Sequence, residues 1–104
     1  MQMVEINEAN FDATVREGKT FLYFTADFSP FAKAMEPVYA DFLKLAEGYD
    51  VKVCRMPVTD HLSIGQRLQI KELPCMVLFR DGMKVDACPG IVPLDRYENM
   101  LKFF

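Results

Sequence analysis

The segment Thr20 to Ala26, TFLYFTA, is rich in aromatic and β-branched residues and is apolar on both of its alternating faces. A strand with that pattern has to be covered on both sides, which places it at the centre of a sheet rather than at an edge or on a wet face. The rest of the chain must therefore supply a layer for each face.

The flanking sequence alternates accordingly. Met3 to Ile6 is a short strand candidate, and Asn7 can cap a helix over Glu8 to Glu17, with Phe11 and Val15 inward and Gly18 as the stop. After a loop at Asp27 to Pro30, Ser29 and Pro30 form a helix start, serine as N-cap and proline at the first helical position. That helix runs to about Glu47, with Ala34, Met35, Val38, Phe42, Leu45 and Ala46 as its apolar stripe, Pro37 predicting a kink and Gly48 ending it. Val51 to Met56 is the next strand. Asp60 can cap a short helix with Leu62, Ile64 and Leu68 inward. Cys75 to Arg80 and Met83 to Cys88 flank the turn signal Asp81-Gly82 as a hairpin, whose second strand Pro89 marks as an edge. Pro93 opens a last helix packed through Leu94, Tyr97, Met100 and Leu101. Parallel strands joined by helices, closed by an antiparallel hairpin, predict an α/β domain. Its mixed five-stranded sheet has helices on both faces.

At 104 residues the chain is sized for a single domain over residues 1–104, and roughly two-thirds of the extended surface of such a chain is buried on folding. Hydrophobic residues at 51 % exclude a disordered chain. Fifteen acids against twelve bases give a net charge of −3, which argues against a nucleic-acid partner. No apolar run approaches the roughly 20 residues of a membrane span, and Met1 to Glu8 lacks the basic start of a signal peptide. The three cysteines, Cys54, Cys75 and Cys88, are odd in number and form no Cys-x-x-Cys. That pattern favours core thiols in a reducing compartment, and a cytoplasmic location is expected.

Taken in order, Phe24 to Lys33 (FTADFSPFAK), Pro37 in the long helix, Leu73-Pro74, the FRDG turn from Phe79 to Gly82, and Gly90 before the last helix resemble the thioredoxin family along nearly the whole chain. The resemblance implies the thioredoxin fold, with Pro74 as a cis proline beside the active site. It also implies that the two cysteines of the family's Cys-x-x-Cys fall at Ser29 and Ala32, so that the degenerate site reads Ser29, Pro30, Phe31, Ala32. The family's buried acid falls at Tyr23, its nearby base is kept in type as Arg55, and its two tryptophans fall at Phe28 and Thr25.

Disulfide exchange needs a thiolate at the helix start and a second thiol to release the mixed disulfide. A serine and an alanine supply neither, so no catalytic residue and no cofactor are expected, and dithiol oxidoreductase activity is not. The resemblance instead implies a peptide-binding surface of Phe28, Phe31, Leu73, Pro74 and Ile91, where an extended segment of a partner protein adds to the backbone at Leu73. The expected function is a redox-inactive binding module: an adaptor, a chaperone-like escort or a complex subunit. The same apolar patch invites a homodimer.

The alternative is a weak monothiol oxidoreductase using Cys75 as a reactive thiol. Cys75 and Cys88 are expected on neighbouring strands as diagonal neighbours, too far apart for an easy bridge. The one histidine, His61, reads as an exposed loop residue. Three scattered cysteines do not complete a zinc site with it, and no metal is expected. Ser29 and His61 lack the elbow motif and the orienting acid of a hydrolase.

Overall fold

In a computed structural model, which describes residues 1–103, the doubly apolar segment forms the middle of a five-stranded sheet. The elements follow as β1 (Gln2–Met3), α1 (Phe11–Val15), β2 (Lys19–Thr25), α2 (Pro30–Ala46), β3 (Val51–Pro57), α3 (Leu62–Arg67), β4 (Cys75–Arg80), β5 (Met83–Pro89) and α4 (Leu94–Phe103). The strand order is β1-β3-β2-β4-β5. The β1/β3 and β2/β3 pairs are parallel, and β2/β4 and β4/β5 are antiparallel.

Alternation along β2 divides the core. Phe21 and Tyr23 face α2 and α4, where they meet Met35, Tyr39, Phe42, Tyr97, Met100 and Leu101. Leu22 and Phe24 face α1 and α3, where they meet Phe11, Val15 and Ile64. This is the fold class expected from the sequence, with β5 at the edge.

Several local expectations are corrected. Strand β1 has two residues rather than four, although the Val4 N–H still reaches the Val53 carbonyl at 3.0 Å. Helix α1 has five residues and starts after Asn10, not after Asn7, with no side-chain cap from either. The two asparagines explain the shortening. Each side-chain oxygen accepts the other's backbone N–H, at 2.7 and 2.9 Å, and so closes a turn over residues 7–10 in place of a first helical turn. In α2, Ala34 is exposed and Tyr39 is buried in its stead, while the helix passes through Pro37 unbroken. Helix α3 starts after a half-buried His61 with no side-chain cap from Asp60, and Leu62 points outward.

The hairpin turn has positive φ at both central residues, 50° at Asp81 and 85° at Gly82, as the tight mirror-image turn requires. Asp81 also ties the turn to the end of α1. Its Oδ1 accepts the Gly18 N–H at 2.8 Å, and its own N–H donates to the Gly18 carbonyl at 3.0 Å.

Beyond the turn Arg80 faces Met83 and Phe79 faces Lys84, but Leu78 then faces Asp86. Val85 is the extra residue of a bulge, and everything after it is shifted by one. Cys75 therefore faces Pro89, while Cys88 faces Met76. The two thiols lie on opposite faces of the sheet rather than as diagonal neighbours on one face, Cys75 in the α1/α3 core and Cys88 in the α2/α4 core. All three cysteines are free and buried.

Candidate functional site

Strand β2 ends at Thr25, and the chain turns through Asp27 and Phe28 to enter α2. Ser29 fixes that entry. Its backbone is extended, and its Oγ accepts the Ala32 N–H at 3.3 Å, satisfying one of the free amides of the first turn. With Ser29 only 8 % exposed and Ala32 buried, the flanking side chains are pushed out. Phe28 is 71 % exposed and Phe31 59 %.

Opposite them, the Leu73–Pro74 peptide bond is cis, and the Pro74 carbonyl accepts the Gly90 N–H at 2.7 Å. That bond docks the loop after β5 against the segment before β4. It presents Ile91, 58 % exposed, beside Leu73. No backbone hydrogen bond to the Leu73 N–H or carbonyl is present among the described residues.

The result is a groove of about 450 Å³ lined by Phe28, Ser29, Phe31, Leu73 and Ile91, together with Lys71, Glu72 and Gly90. Four of the five residues expected to bind peptide line it. The fifth, Pro74, is buried behind the lining. Pro30, exposed, and Ala32, buried, flank Ser29 without lining the groove. Lys71 and Glu72 are exposed charges with no distinguishing sequence pattern. Their place at the wall depends on how the chain before Pro74 meets the Gly90 loop, and no local motif announces that.

Around the helix start the chemistry is neutral. Tyr23 is fully buried, and its phenol is pushed up from its ordinary range, chiefly by burial. Arg55 faces Tyr23 across the β2/β3 pair, but its guanidinium is engaged by Glu36 at 3.1 Å in a half-exposed ion pair.

Cys75 does not line the groove. It contributes, with Lys84, Ala87 and Pro89, to an adjoining recess of about 180 Å³ that shares Lys71 and Glu72 with the groove. It is only 4 % exposed, and burial, reinforced by the nearby Cys88, pushes its thiol up to about 11. Burial also raises the thiols of Cys54 and Cys88. At neutral pH all three are held as thiols rather than as the thiolates that exchange chemistry uses. His61, half-buried at the start of α3, makes no side-chain cap bond and lies outside the groove. Among the described residues no cluster of three metal-ligating side chains exists, and no helix is long and apolar enough to cross a membrane.

Comparison with known proteins agrees with this fold. The family model described as Thioredoxin matches residues 2–102. A thioredoxin of Staphylococcus haemolyticus is 26 % identical over 103 residues, covering 97 % of this chain and 96 % of its own. A thioredoxin of Staphylococcus saprophyticus is 25 % identical over 104 residues, covering 98 % and 97 %. Among solved structures, mitochondrial thioredoxin 3 from Saccharomyces cerevisiae in its oxidized form superposes with a TM-score of 0.83 at 19 % identity, over 100 % of this chain and 95 % of that one. The thioredoxin of Malassezia sympodialis superposes with a TM-score of 0.82 at 22 % identity, over 98 % and 89 %.

Proposed function

The chain belongs to the thioredoxin family, and we propose that it is a member without disulfide chemistry, whose groove at the start of α2 holds an extended apolar segment of a partner protein. One observation carries the reading. Phe28, Phe31, Leu73 and Ile91 surround a groove whose helix-start residue is Ser29, and no thiol lines it. A buried hydroxyl that caps its own helix is committed to the fold, and it neither attacks a disulfide nor forms one. Three large apolar side chains more than half exposed around one recess are a binding surface rather than scattered exposure.

The backbone at Leu73 supports the mode of binding. A segment in extended conformation can pair with its N–H and carbonyl while its side chains enter the groove alternately. The same patch offers itself to a second copy of the chain, in which case peptide and self-association compete. The sense of a redox function in the relatives' name, thioredoxin, does not extend to this site, because the sequence has no Cys-x-x-Cys.

The test has two arms. Reduction of a protein disulfide by dithiothreitol should run at the same rate with the protein, with Cys75→Ser, and without either. Selection from a random peptide library should enrich extended apolar sequences, and that enrichment should disappear in Phe28→Ala/Phe31→Ala. Acceleration that vanishes in Cys75→Ser would replace this reading with thiol chemistry on β4.

A further inference from the structure

Two charges line the groove, Lys71 and Glu72, and one of them, Glu72, is placed by its contact with the Gly90 loop. Glu72 sits between the backbone of Leu73 and the loop at Gly90, and its carboxylate lies over Gly90. Its Oε1 is 3.0 Å, and its Cδ 3.4 Å, from where a Cβ on that glycine would stand. Gly90 is held in place by its positive φ of 80° and by its N–H bond to Pro74. The absent side chain is what makes room for the carboxylate. Among the described residues there are three ion pairs, Arg55 with Glu36, Arg67 with Asp12 and Lys102 with Glu98, and Glu72 is in none of them. Lys71, its neighbour, is in none of them either; it borders two adjoining recesses, one of which Glu72 borders too.

An unpaired carboxylate on the wall of an apolar groove acts on whatever enters. A neutral apolar segment would strip water from Glu72 and return nothing for it. A lysine or arginine next to the apolar residue would form a charge-assisted hydrogen bond with the carboxylate. Its aliphatic stem would lie along Leu73 and Ile91, and its cation would reach the exposed faces of Phe28 or Phe31. Closing the groove lowers the local dielectric, so the pair gains strength on binding.

We propose that Glu72 makes the groove selective for extended segments in which a lysine or arginine adjoins an apolar residue. This rests on the groove being a peptide site. The partner segment is therefore apolar and basic, complementary to a chain whose own net charge is −3.

The experiment uses three labelled peptides with one extended apolar centre, flanked by lysine, by glutamine or by glutamate. Each is titrated by fluorescence anisotropy against the full chain, Glu72→Gln and Glu72→Lys. Glu72 is exposed, so both variants keep the core intact. The expected result is binding of the lysine-flanked peptide about 10-fold tighter than the glutamine-flanked one. The preference should shrink to about 2-fold or less in Glu72→Gln and reverse in favour of the glutamate-flanked peptide in Glu72→Lys. Equal binding of all three peptides, or a lysine preference that survives Glu72→Gln, overturns the role of Glu72 and leaves the groove standing. A preference for the glutamate-flanked peptide in the unaltered chain overturns it in favour of Lys71. Failure of every peptide to bind overturns the groove reading itself.

Discussion

Tyr23 and Tyr39 stack face to face, with ring centroids 4.0 Å apart and planes 7° from parallel. Tyr97 meets Tyr23 edge-on at 6.3 Å, which completes a buried aromatic cluster between β2, α2 and α4. The hydroxyls of all three are buried, and none has a hydrogen-bond partner among the described residues. The strand position where the resemblance implies an acid is thus occupied by a packing residue.

Tyr23→Phe should therefore stabilise the protein. The ring stack is kept, and a desolvated hydroxyl with no partner is removed, worth about 1 kcal/mol. That corresponds to a rise in Tm of about 4–8 °C in a domain of this size. Tyr23→Asp should do the opposite. It breaks the stack and buries a carboxyl with only an already paired arginine nearby, costing about 3 kcal/mol or more. Thermal and urea unfolding of the two variants measure both. A loss of stability in Tyr23→Phe would place an internal water on the hydroxyl instead.

How much of this was legible depends on how local each cause is. Strand β2, the cap at Ser29 and the Asp81-Gly82 turn follow from contiguous residues and stand as read. The length of α1 does not, because two asparagines three residues apart satisfy each other and close a turn that a single-residue cap rule misses. Nor does the face of Cys88, since a bulge at Val85 is decided by how the edge strand twists against β4. In α2 the apolar stripe read from the sequence includes Ala34, which is exposed, and omits Tyr39, which is core: a small alanine is tolerated on either face, and a phenol joins a polar hydroxyl to a large apolar ring. Of the groove, the apolar walls were readable by resemblance. Glu72 was not, because its role comes from the loop at Gly90 rather than from its own neighbours in sequence.

Stability should fall in alkali before any secondary effect of charge. Burial pushes the Tyr39 phenol up to about 12 and the Cys75 thiol up to about 11, against ordinary values of 10.0 and 9.0. Between those values the unfolded chain has released its protons and the folded chain has not. The unfolded state then binds fewer protons, and stability declines as pH rises. The decline should begin near pH 9 with the thiol, deepen from pH 10 with the phenol, and be absent between pH 6 and 8, as urea midpoints across that range will show. In parallel, no thiol should react quickly with iodoacetamide at pH 7.5 in the folded protein, and all three should react in urea. One fast thiol lost in Cys75→Ser would contradict the buried placement.

The start of α2 should accept the chemistry it lacks. Positions 29 and 32 face each other across the first turn, with the Ser29 Oγ 3.3 Å from the Ala32 N–H. In Ser29→Cys/Ala32→Cys the first thiol would sit at a helix N-terminus, which lowers its pKa, and the second within reach to resolve a mixed disulfide. Loss of the serine cap should cost about 1 kcal/mol. The double variant should accelerate disulfide reduction by dithiothreitol where the unaltered chain does not, and Ser29→Cys alone should accumulate mixed disulfides. An inactive double variant would show that Tyr23 and the paired Arg55 block proton transfer as well.

Two glycines separate what the backbone contributes from what the groove contributes. Gly82 and Gly90 have nearly the same left-handed φ, 85° and 80°. Replacement of either by alanine should cost about 1–2 kcal/mol from that conformation alone. The space around them differs. A Cβ at Gly82 would meet its nearest neighbour, Arg16 Cα, at an ordinary 3.7 Å, whereas one at Gly90 would meet the Glu72 carboxylate at 3.0 Å. The carboxylate is the free end of a flexible side chain, so it should swing away rather than unfold the loop. Gly90→Ala and Gly82→Ala should then show similar losses of stability in urea, and only Gly90→Ala should weaken the preference for lysine-flanked peptides. Equal peptide preference in the two variants would mean that the glutamate acts from a position independent of Gly90.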